Sequence, residues 1–166
     1  MIKLSEIIHQ LTSNAEAIRA MVGRFSDEDA RWKPDAETWS MQDVMQHMLN
    51  EERLDFRKHL KEIFHDPPQP WSRQNEAERT VVTSCREALD SFLAERQDSI
   101  AWLKVLPSPD WDLRIEAPWG GTISAGDVLV SWVEHDFLHM RQMNEILYAW
   151  NKHKAEPYSV EYAGDW

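Results

Sequence analysis

The stretch DVLVSWVEHDFLHMRQMNEILYAW, residues 127–150, decides the fold. At helical spacing Val128, Trp132, His135, His139, Gln142 and Ile146 step by three or four and share one face. Apolar residues open and close the row, so it faces the interior of a helical protein. Its middle carries two imidazoles and an amide. Buried without partners, these groups would cost on the order of several kcal/mol in all. The i, i+4 pair His135 and His139 can reach one ion from the same side, as helical zinc pairs do, although the HExxH order is absent. The alternative is two histidines satisfied by water, backbone or carboxylates, with no ion.

Outward from this helix, three more periodic segments appear. The first runs from Leu4 to about Phe25, with Ile7, Ile8, Leu11, Ala15, Ile18 and Val22 in its stripe. The second opens at Ser40, an N-cap with Asp43 three residues on, and is expected to continue to about Phe64. Pro67, Pro68 and Pro70 exclude its extension. The third is expected over residues 77–106, stopped by Pro107 and Pro109. The fourth starts at the N-cap Ser124, with Asp127 three residues later, and reaches about Asn151. Leu113–Ile115 and Thr122–Ile123 suit a small hairpin, and Tyr158, Tyr162 and Trp166 in the tail suit docking back on the body.

The expectation is an all-α four-helix bundle, residues 1–166 forming a single domain. A linker of about thirteen residues between the second and third helices can extend roughly 40 Å, against the ~35 Å length of a 24-residue helix. It can therefore run the length of the bundle as a crossover, giving up-down-down-up order.

Of 166 residues, 18 are Lys or Arg and 29 Asp or Glu, for a formal net charge of −11. That sign, without a basic cluster, argues against nucleic-acid binding and against docking on anionic membrane. No apolar run is long enough to span a bilayer, and the opening MIKLSEIIHQ does not resemble a signal peptide. The single cysteine, Cys85, precludes an internal disulfide and suits a cytoplasmic location and a small core position. Nine tryptophans are most simply core and loop anchors, with Trp71, Trp111, Trp119 and Trp166 as candidates for a dimer face or pocket rim.

A third ligand for His135 and His139 can come from the second helix. His47 lies on the line Val44, His47, Glu51, Leu54 beside the apolar stripe. Taken alone it reads as a partly buried histidine without an ion, and a staggered antiparallel pair of helices permits alignment without requiring it. The segment WSMQDVMQHMLNEE, residues 39–52, resembles the "WS…evl.H…E" block of the DinB-like superfamily, and HDFLHMRQ, residues 135–142, resembles its "HDxxHxxQ" block. The likeness covers essentially the whole chain in helix order. It implies an up-down-down-up bundle with a three-histidine metal site on His47, His135 and His139, and often a homodimer.

Three imidazoles leave open positions on a divalent ion, with zinc and nickel best suited and ferrous iron also compatible. Glu51, one turn after His47, is a candidate general base or acceptor for a ligand, against a solvated or salt-bridged surface role shared with Glu52. Gln142 is a candidate for holding a cofactor, water or substrate, against a satisfied core amide, and Asp136 for supporting a ligand or clamping a helix. His9, His59, His65 and His153 read as surface histidines. The resemblance implies metal-dependent chemistry on a small-molecule substrate, with a low-molecular-weight thiol as nucleophile in a transferase or isomerase. The alternatives are a hydrolase that activates water, a non-catalytic metal or small-ligand binding protein, and a bundle without metal.

Overall fold

Ser40 and Ser124 start the two helices that carry the histidines. Each closes a reciprocal capping box: Asp43 N donates to Ser40 Oγ at 3.2 Å and Ser40 N to Asp43 Oδ2 at 2.9 Å, and Asp127 with Ser124 repeats the pattern at 3.0 and 2.9 Å. Two otherwise orphaned backbone donors are thereby satisfied at each helix start. Ser40→Ala is expected to cost about 1 kcal/mol in urea denaturation; an unchanged midpoint would mean that the cap contributes nothing.

The computed structural model describes residues 3–164. Its helices are α1 (Leu4–Val22), α2 (Met41–Leu54), α3 (Phe56–Ile63), α4 (Cys85–Lys104) and α5 (Ala125–Lys154), which make a four-helix bundle with α2 and α3 dividing the second predicted helix. The division falls at Asp55, whose φ of −118° and ψ of −99° are not helical. No proline or glycine marks that point. The hairpin forms between β1 (Arg114–Glu116) and β2 (Thr122–Ser124), antiparallel, with Ile115 opposite Ile123.

The third helix begins at Cys85 rather than at 77. A 3-10 turn at Glu76–Glu78 is followed by non-helical chain up to the N-cap Ser84, whose Oγ accepts from Glu87 N. Thr80, Val81, Val82 and Thr83 are β-branched and poor helix formers. Side-chain amides of α2 hold this strap instead. Gln46 donates to Thr80 O and accepts from Val82 N, and Asn50 donates to Thr80 O and accepts from Thr80 N. Tyr158 and Tyr162 are exposed rather than docked on the body, and Trp166 lies outside the described residues.

Two apolar clusters fill the interior. One gathers Ile18, Met41, Met45, Phe92 and Met143, the other Leu11, Leu60, Leu129 and Trp132. On α1, on α2 with α3, on α4 and on α5 they are separated along the chain, and Asn14, Glu52, Arg96 and Asp136, all buried, fall in the gaps. His135 and His139 fall in the same gap of α5.

A candidate metal centre of three histidines

The four-residue step of α5 and the approach of α2 bring three imidazole nitrogens together. His135 Nε2 lies 3.2 Å from His47 Nε2 and 3.1 Å from His139 Nε2. One ligand atom from each ring falls within 4.8 Å of the others. Tetrahedral ligation at about 2.0–2.1 Å would space such nitrogens by about 3.3–3.4 Å, close to what is observed. Protonation supports the fit. His139 donates from Nδ1 to Gln142 Oε1 at 2.9 Å, which leaves its Nε2 with a lone pair. Burial, reinforced by His139 and then Arg79, pushes the His47 pKa down to about 4. Burial, reinforced by the His139 and His47 rings, pushes His135 down to about 3. Both are neutral at pH 7. His135 Nε2 can donate to one neighbour at most, so hydrogen bonding among the rings cannot satisfy all three nitrogens, whereas a single cation would.

Aromatic rings frame the trio. Trp39, just before the α2 cap, is parallel to His139 at a centroid distance of 6.4 Å and edge-on to His47 at 5.3 Å. Phe56, the first residue of α3, sits edge-on to His135 at 5.1 Å and stacks on Trp132. Two grooves open beside the rings. One, about 600 Å³, touches His135 and is walled by Phe56, Phe137 and Leu138, with Glu134 and Arg141 also lining it. The other, about 350 Å³, touches His47, with Trp39, Gln46, Asn50 and Arg79 around it.

Glu51 lies 3.7 Å from His47 Nδ1, the nitrogen opposite the point of convergence. Its carboxylate and that of Asp55 both accept from Gln74 Nε2 at 3.1 Å. Burial and the neighbouring Glu51 raise the Asp55 pKa to about 6. Gln142 meets His139 as described, so its amide oxygen orients a ring.

Asp136 clamps helices. It receives a two-pronged bond from Arg96, at 2.8 and 2.9 Å, and a third from Asn14 of α1. The second Arg96 prong also reaches Glu52 Oε2 at 2.9 Å, where Trp132 Nε1 donates too. Glu52 is therefore not a surface residue: it is 2% exposed, drawn inside by Arg96. Nothing in the reading of single residues flagged Arg96, yet it sits on the buried row Leu89, Phe92, Arg96, Leu103 at helical spacing. His59 is likewise buried, at 1%, stacked on Trp71 with a centroid distance of 3.6 Å and bonded through Nδ1 to Glu62. His9, His65 and His153 are exposed, and Trp119 is 69% exposed. Cys85 is a buried free thiol, its pKa pushed up to about 12 by burial. No helix among the described residues is long and apolar enough to cross a membrane.

Comparison with solved structures finds the same architecture. YfiT from Bacillus subtilis, described as a probable metal-dependent hydrolase with an unusual four-helix bundle topology, aligns with a TM-score of 0.69 at 13% identity, over 89% of each chain. A DinB-like protein of Bacillus subtilis aligns at 0.65 with 18% identity, over 92% of this chain and 96% of that one. A conserved protein of Enterococcus faecalis aligns at 0.64, also 18% identical, over 91% and 96%. At these identities the likeness speaks for the fold alone. No curated protein matches the sequence. The DinB superfamily profile, however, matches residues 10–143, from α1 through the helix that carries His135, His139 and Gln142, and with that span the chain belongs to the DinB superfamily.

Proposed function

We propose that His47, His135 and His139 hold one divalent ion, zinc or nickel foremost and ferrous iron as a third choice, and that the chain is a metal-dependent enzyme acting on a small molecule with a low-molecular-weight thiol. The observation that carries this reading is the convergence of three Nε2 atoms, 3.1 and 3.2 Å apart in the two closest pairs, beside two open grooves. An ion there would supply Lewis acidity, lowering the pKa of a thiol or water brought to its open position. The chain's own residues do the rest. Gln142 fixes the tautomer and tilt of His139. Glu51 faces His47 Nδ1 and favours the tautomer with a free Nε2. Trp39 and Phe56 restrict water around the rings. Because Glu51 faces the far nitrogen of His47 and is engaged by Gln74, a nucleophile that needs no protein base is favoured, which suits a thiol better than water.

A second reading, a hydrolase, is supported by the description of YfiT. The test supplies zinc, nickel or ferrous iron to the purified protein and follows 1-chloro-2,4-dinitrobenzene conjugation with a panel of low-molecular-weight thiols, alongside ester hydrolysis. Thiol-dependent turnover lost in His135→Ala is expected. Hydrolysis lost in that variant, with no thiol turnover, would replace the first reading by the second. Neither activity, with metal bound, would leave a binding protein.

Further proposals rest on the contacts. Up-down-down-up order is supported by numbers that rise together along α2–α3 and along the strap and α4, Gln46 with Thr80 and Arg57 with Glu95, and run oppositely on α2 and α5, Glu52 with Trp132 and His47 with His139. Residues 64–84 would then be the crossover, and the chain one domain. A homodimer is supported by exposed Val130, Phe137 and Leu138 on α5. A cytoplasmic location is supported by the free thiol of Cys85.

A further inference from the structure

We propose that the groove over His47 is an anion subsite in which Arg79 grips a carboxylate, sulfonate or phosphate of the substrate, so that the site selects negatively charged small molecules. This deepens the metal reading above and rests on it for the position of the reacting atom. The argument starts from charge. The chain carries 29 acidic against 18 basic residues and repels anions at large. The groove touching His47 departs from that balance, because Lys33 and Arg79 line it against the single acid Asp43. Lys33 and Asp43 satisfy each other at 2.7 Å. Arg79 donates to the side-chain oxygen Oε1 of Gln74 at 3.0 Å and pairs with Glu76 at 3.5 Å, a carboxylate outside the groove whose side chain is 81% exposed, so that water screens the pair and a bound anion can compete with it. The nearby carboxylates Glu51 and Asp55 are engaged by Gln74 and do not line the groove.

Position is the second argument. Arg79 is the first residue after the 3-10 turn of the strap, and the next residue, Thr80, is held from both backbone atoms by Gln46 and Asn50 of α2. These two side chains also line the groove. The strap therefore fixes the root of Arg79 against the stretch of α2 between Gln46 and Asn50 that carries His47, and both Arg79 and His47 line the groove. Trp39 forms a flat wall of the same groove, 41% exposed, against which a planar group can lie. A guanidinium fork and an aromatic wall beside the proposed metal position suit an organic anion.

The test uses benzenesulfonate and its nearly isosteric neutral counterpart, methyl phenyl sulfone. Each is titrated by nuclear magnetic resonance into the full-length protein, metal-free and zinc-loaded, with the indole N–H of Trp39 assigned through Trp39→Phe. Benzenesulfonate is expected to bind about tenfold or more tightly than the sulfone, as a charge-assisted bond requires. Arg79→Gln is expected to abolish that preference and Arg79→Lys to keep part of it. Equal affinities in the parent, or a preference that survives Arg79→Gln in a folded variant, overturn the proposal. Metal content is measured separately. A chain that binds no metal yet shows the Arg79-dependent preference refutes the metal reading and upholds the anion subsite, whereas a chain that binds metal without the preference does the reverse.

Discussion

A chain carrying His47→Ala, His135→Ala and His139→Ala together is expected to retain no divalent metal, where the parent, purified without chelator, retains close to one ion per chain by mass spectrometry. The effect should be all or nothing because the three Nε2 atoms are the whole donor set found at the convergence point among the described residues. Stability provides an independent readout. At a free metal concentration about a thousandfold above the dissociation constant, binding adds roughly 4 kcal/mol to the folded state. For a chain of this size that raises the melting temperature by roughly 8–16 °C, and the triple variant should show no rise. Gln142→Leu should act between these limits, with metal affinity reduced about 10–100-fold, because the ring of His139 loses its orienting acceptor but keeps its lone pair. A folded parent that binds neither zinc, nickel nor ferrous iron would sink the metal reading.

How far the sequence leads is set by range. The row Val128, Trp132, His135, His139, Gln142 is local, and one helix suffices to place its two histidines side by side. Ser40 with Asp43 and Ser124 with Asp127 are equally local, and both capping boxes form. His47 is picked out by a family pattern rather than by geometry, since the meeting of α2 and α5 joins residues 88 positions apart. What stayed hidden depends on long-range partners. Glu52 reads as surface until Arg96, 44 residues away, neutralises it inside. His59 reads as surface until Trp71 covers it. The late start of α4 reflects amides at Gln46 and Asn50 competing for the backbone of Thr80 and Val82, a contact no window of sequence contains. The break at Asp55 carries no proline or glycine signal at all.

Arg96→Met should destabilise the chain by about 3–5 kcal/mol in urea denaturation, a large share of the roughly 5–15 kcal/mol typical of a folded domain. Arg96 is 2% exposed and faces Asp136 at 0% and Glu52 at 2%. Its guanidinium also donates to Leu11 O at 3.1 Å and lies over the rings of Phe92 and Trp132. One cation thus serves two buried carboxylates, and removing it leaves both charges without a counter-ion in a water-poor interior. Asn14 and Trp132 Nε1 remain as donors but carry no charge. The loss arises from orphaned charge rather than from lost packing, so it can be reversed by removing the charges as well. Arg96→Met combined with Glu52→Leu and Asp136→Leu should recover much of the stability, since an apolar replacement of a buried ionic cluster is often neutral or better. The two variants should part company at the metal site. Glu52 lies five residues after His47, and Asp136 lies between His135 and His139, so Arg96 ties together the helices that supply the three nitrogens. The apolar triple variant should fold yet hold metal more weakly than the parent, because greasy contacts do not fix the register of α2 on α5 as the bidentate bond does. A triple variant with parental metal affinity would show that the network serves stability alone, and an Arg96→Met chain as stable as the parent would mean that water or protonation already relieves the buried carboxylates.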